Sequence, residues 1–158
     1  MLSSAWPSQS FRGAPTPVES ILKFSGARVN PTSIREVDAL VRRNFTYRAD
    51  PEADTWRSFA GEVRAGRKWE GDCDDLASTV LHMLADAGVE HDLLWRAMVS
   101  STRSSVIDHM IGICQDDDGR LWIVGDTAGP AYPFYQHHYR IIQVSNVGGG
   151  VHWRKPYF

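Results

Sequence analysis

The stretch from Gly71 to Gly88 constrains this chain more than any other. Leu76, Ala77, Val80, Leu81, Leu84 and Ala85 recur there at the spacing of a helix that buries one broad face, and Gly88 suits the residue just past its end. The period then changes. Residues 93–99, 106–114 and 121–126 read as strands, with further strands at 139–144 and 151–154 on either side of the break Gly148-Gly149-Gly150. Upstream, Ile34, Val37, Leu40, Val41 and Phe45 mark another helical stripe. It starts either at Asn30-Pro31, where proline suits the first helical position, or a turn later at the capping pair Ser33 and Glu36. Trp56, Phe59, Ala60 and Val63 repeat the helical spacing up to Gly66. Helices first and strands afterwards predict an α+β fold, with the 71–88 helix packed on an antiparallel sheet.

With 158 residues the chain is one domain's worth. A formal net charge of −2 excludes the bulk basic field that nucleic-acid binding needs, so no nucleic-acid partner is expected. No apolar run is long enough to span a membrane. Residues 1–30 are polar, carry Pro7, Pro15 and Pro17, and scatter Trp6, Phe11 and Phe24 without a period; they read as an extended N-terminal arm, with the domain at 31–158. The first residues lack the basic start and apolar core of a secretory signal, so a cytoplasmic or virion-associated protein is expected. Two cysteines cannot make a disulfide framework.

Of the two, Cys73 carries the chemistry. It lies in the first turn of the buried helix, where the macrodipole favours a negative side chain and a depressed thiol pKa is expected. A buried structural cysteine would satisfy the same pattern. Strand alternation puts His109 on one face with Ile111 and Ile113. A hairpin turn centred on Asp117-Asp118 sets His109 opposite Asp126, close enough for a hydrogen bond; a turn at Asp118-Gly119 keeps both on one face. Only an odd-length connection would separate them. Cys73, His109 and Asp126 then form a nucleophile, a base and its orienting carboxylate, with the Cys73 backbone N–H as an oxyanion donor. The neighbours Asp72, Asp74 and Asp75 oppose thiolate formation. Cys114 reads as a core thiol, His82 as a surface residue facing away from Cys73, and His91 as loop. His137-His138 lack zinc spacing. Asp116-Asp117-Asp118 reads as a solvated hairpin tip, and the aromatic and basic tail 153–158 as a segment packed on the domain or on a partner.

Gly71-Asp72-Cys73-Asp74-Asp75 resembles the G-D-C-[ED]-D signature of bacterial transglutaminase-like cysteine proteases. Asn44-Phe45-Thr46-Tyr47 is similar to that family's N-x-x-Y segment, Trp56 to its tryptophan before the cysteine, and Asp108-His109-Met110 to its [AD]-H-M strand. The resemblance spans roughly residues 35–130. It implies a papain-like α+β fold and a thiol-dependent hydrolase of protein or peptide amide bonds, working through Cys73, His109, Asp126 and an acyl-enzyme. It requires no cofactor, and also implies calcium at Asp72 and Asp74, as in some members, although two carboxylates fall short of the six to eight oxygens calcium takes. Asn44, Trp56 and Trp69 are open as a second oxyanion donor. Arg57-Ser58-Phe59 and Arg67-Lys68-Trp69-Glu70 depart from the family's threonine-proline pair and glycine-rich lead, so substrate choice does not carry over. The same triad serves acyl transfer to an amine, as in a transglutaminase. A stand-alone copy this small also resembles those carried in phage genomes, and the alternative expectation is a virion structural or binding protein built on this fold that joins a larger assembly through the arm or tail.

Overall fold

A computed structural model describes residues 29–49, 56–148 and 150–158; apart from its last two residues, the expected N-terminal arm lies outside these. Helix α1 (Pro31–Arg42) starts at Asn30, whose side chain accepts from the Ser33 amide while Ser33 Oγ accepts from the Asn30 amide. Glu36 takes no part in that box. Ile34, Val37, Leu40 and Val41 are buried as the stripe requires. The helix stops before Phe45, which enters strand β1 (Phe45–Tyr47) and pairs in parallel with β2 (Trp69–Gly71). Helix α2 (Ala60–Arg64) is shorter than the 56–63 spacing suggests. The main helix, α3 (Cys73–Asp86), ends ahead of Gly88, whose φ of +107° takes the left-handed conformation expected past a helix end.

Five antiparallel strands follow: β3 (Leu94–Ser100), β4 (His109–Gln115), β5 (Leu121–Val124), β6 (Tyr132–Pro133) and β7 (Arg140–Asn146), in the order β6-β5-β4-β3-β7. The expected 151–154 strand reduces to one bridge between Val144 and Arg154. Helix α3 covers one sheet face, where Leu76, Val80, Leu81 and Leu84 share a core with Leu94, Cys114, Trp122 and Val124. Gly112 permits this close approach, since a Cβ there would lie 3.2 Å from the Leu81 side chain and 2.9 Å from Val124. The other face carries Trp95, Val99, Ile111, Ile113 and Ile123, packed against Phe134 and Tyr139. The tail docks on that side of the domain: Trp95 Nε1 donates to Tyr157 Oη at 2.7 Å, and Phe158 packs edge-on to Trp95.

The β4–β5 hairpin departs from expectation. Ile113 pairs with Ile123 and Gln115 with Leu121, so the connection 116–120 is odd in length. Asp116 imposes it: this carboxylate is buried rather than solvated, and accepts from the amides of Asp118 and Arg120 and from Trp122 Nε1. Plain alternation in that register would turn Asp126 away from His109. Gly125 reverses the displacement by leaving the strand at φ +61°, where a Cβ would sit 2.6 Å from the Ala77 backbone. Asp38 of α1 holds the kinked segment at both ends, accepting from the amides of Gly125 (2.8 Å) and Ala131 (3.0 Å) while paired with Arg42.

Gly125→Ala combines a left-handed backbone with a backbone clash and is expected to lose about 3 kcal/mol in urea unfolding. Gly129→Ala, with open space around its Cβ, should change stability by less than about 1 kcal/mol and serves as the control.

Candidate active site

The start of α3 is built by its carboxylates. Asp72 caps the helix, accepting from the amides of Asp74 (3.1 Å) and Asp75 (3.3 Å), and Asp75 accepts from the amides of Asp72 and Arg57. Asp75 packs so close to Gly71 that a Cβ there would lie 2.7 Å from its own. Between them stands Cys73, half-buried, donating to Asp74 Oδ1 at 3.4 Å while the Met110 amide points at its sulfur. Burial, reinforced by Asp74, pushes the thiol up to about 12. The expected depression by the helix terminus is therefore reversed, because desolvation and two adjacent carboxylates outweigh the helix dipole. Cys114 is fully buried in the core, and burial likewise pushes it up to about 12.

His109 opens β4, one residue before the amide that faces the sulfur. Its Nε2 meets Asp126 Oδ1 at 2.9 Å, which leaves Nδ1 as the ring atom for exchange with a thiol. Asp126 also accepts from the Ala128 amide (3.0 Å), Tyr132 Oη (2.9 Å) and Tyr139 Oη (2.8 Å to Oδ2). Burial alone would raise this carboxyl, but the bonds from His109, Ala128, Tyr139 and Tyr132 prevail and hold it below the usual carboxylate range. The structure thus brings His109 and Asp126 together, and seats Cys73 beside the residue next to His109. The thiol's own hydrogen bond goes to Asp74 and not to the ring.

The remaining candidates have other partners. Asn44 Nδ2 donates to the Gly66 carbonyl, and the buried Trp69 donates from Nε1 to the Val41 carbonyl, so both N–H groups are engaged in holding the fold. Trp56 lies over the Arg96 guanidinium, 5.3 Å from carbon to ring centre, and edge-on to Trp153. Arg96 was missed in the sequence. It is a buried cation under α3, bonded to Ser78 and attracted to Asp74; burial brings it down to about 10 against that attraction. Its signal was a lone charge inside the apolar run Leu94–Val99.

His82 is buried rather than on the surface. It faces away from Cys73, but that side is covered by the segment leading into α2, and its Nδ1 meets Ser58 Oγ at 2.5 Å. His91 lies in a single 3-10 turn, His91–Leu93. Among the described residues no group of three or more His, Cys, Asp or Glu is placed to hold a metal. Asp72 caps the helix through Oδ1 and Asp74 accepts from the thiol at Oδ1, and two carboxylates by themselves fall short of the six to eight oxygens calcium takes.

No family model and no curated protein matches the chain. Solved structures do. Calcium-bound LapG of Legionella pneumophila is 19% identical with a TM-score of 0.56, covering 90% of this chain and 81% of that one. A second LapG structure from the same organism is 18% identical with a TM-score of 0.57, covering 84% of this chain and 72% of that one. What is shared at this identity is the fold, a transglutaminase-like α+β domain.

Under native conditions iodoacetamide is expected to modify Cys73 and leave Cys114 untouched, at a rate that keeps climbing above about pH 10, where a free thiol has levelled off. Peptide mass spectrometry across a pH series measures both.

Proposed function

We propose that this chain is a cysteine protease that hydrolyses amide bonds in protein or peptide substrates, with Cys73 as nucleophile, His109 as base and Asp126 as its orienting carboxylate. The observation that carries this reading is the 2.9 Å bond between the half-buried imidazole and a fully buried carboxylate, formed beside the residue whose amide faces a helix-terminal thiol. The transglutaminase-like fold of LapG, a bacterial cysteine protease, supports it.

Because the resting thiol is neutral, its proton must leave as the sulfur attacks. His109 takes that proton at Nδ1 while Nε2 stays bonded to Asp126, which stabilises the imidazolium without accepting its proton. The Cys73 backbone N–H faces the developing oxyanion. Collapse of the tetrahedral intermediate breaks the C–N bond, and the imidazolium gives its proton to the departing amine. Water, deprotonated by His109, then attacks the thioester and releases the acid and the free thiol. Displacement of the thiol from Asp74 is part of substrate entry in this scheme. LapG has been seen with calcium bound; here no step depends on a metal.

Cys73→Ala and His109→Ala are expected to abolish hydrolysis of a peptide library, and Asp126→Asn to lower kcat by roughly a hundredfold or more. Mass spectrometry should find cleaved peptides and no conjugates when a primary amine is added. Hydrolysis that survives Cys73→Ala would contradict the assignment, and amine conjugates would redirect it to acyl transfer.

A further inference from the structure

Among the groups around the site, two phenols are placed with no evident reason in the minimal chemistry. Tyr132 comes from β6 and Tyr139 from the segment just before β7, yet both hydroxyls converge on the Asp126 carboxylate, at 2.9 Å and 2.8 Å. A carboxylate offers about four lone-pair sites. His109, Ala128, Tyr132 and Tyr139 occupy them, Tyr139 reaching both oxygens. Tyr139 also packs its ring 5.3 Å from that of His109. Among the described residues the only ion-pair partner of Asp126 is His109 itself. An ionised carboxylate with 1% side-chain exposure is costly unless its oxygens are bonded.

We infer that Tyr132 and Tyr139 are positioning residues that keep Asp126 ionised and fixed in the plane of His109, a role that rests on the protease reading of this site. The phenols supply, as neutral donors, the stabilisation that water or an arginine would otherwise give. Because neither adds a positive charge, they leave the full Coulomb attraction of Asp126 to the imidazolium. The other titratable groups facing this cluster are Asp108, exposed beside His109 and bonded to Ser101; the Cys73 thiol with Asp74 on α3; and His137, stacked on Tyr139. Asp126 is held below the ordinary carboxylate range, so the alignment it provides is complete at neutral pH and is lost only as pH falls through that depressed value. Losing a phenolic donor raises that value and brings the loss to higher pH.

The test uses Tyr132→Phe and Tyr139→Phe, which keep the rings and remove one hydroxyl each. The carboxyl carbon of Asp126, followed by NMR in the full chain, is expected to titrate about one unit higher in each variant than in the wild type. In the peptide assay kcat should fall with KM unchanged. Should a phenylalanine variant not fold, 3-fluorotyrosine at the same position, a stronger donor, moves the titration down instead. An Asp126 titration that stays put in every folded variant overturns the inference. Cys73-dependent hydrolysis alongside that result would leave the protease reading standing; a shifted titration in a chain without thiol-dependent hydrolysis would do the reverse.

Discussion

A carboxylate removed from water must be paid for with hydrogen bonds. Asp126 meets that condition with four donors, and doing so dictates much of the surrounding geometry. Its position depends on Gly125, which leaves β5 in a left-handed conformation against Ala77 of α3. Gly125 is in turn held by Asp38, a second buried carboxylate reaching up from α1. Two buried acids, Asp38 holding the kinked segment and Asp126 within it, therefore fix the partner that the imidazole of His109 meets.

The sulfur side is organised by the opposite electrostatic logic. Asp72, Asp74 and Asp75 build and cap the start of α3, and the charges of Asp74 and Asp72 disfavour a resting thiolate. Arg96 lies beneath the helix, bonded to Ser78 and attracted to Asp74. A thiol kept protonated until the base receives its proton would be spared adventitious alkylation and oxidation, both of which follow thiolate character. In the proposed mechanism the cost is dependence on His109, whose partner Asp126 receives four donors.

Much of the layout was legible in the sequence because it rests on period and local capping: the Cys73 helix, the order of helices then strands, and Gly88 at the helix end all follow from side chains within a few positions of one another. The hairpin register was not legible. It depends on Asp116 folding back onto Trp122 and Arg120, a choice that strand alternation does not contain. His109 and Asp126 still meet, but for a different reason from the one alternation suggests. Strands β1 and β2 are too short to show a period. Asp38, Tyr132 and Tyr139 each look ordinary in their own segment and, like the lone charge Arg96, acquire a role only through partners far along the chain.

The central claim is that the Cys73 proton passes to an imidazole held by Asp126. The most direct measurement is intact-mass detection of the covalent adduct formed with a peptidyl electrophile that mimics an acyl substrate. One adduct on Cys73 in the wild type, lost in His109→Ala while that variant remains folded, is the result predicted. An adduct that forms on Cys73 equally fast without the imidazole would contradict the account.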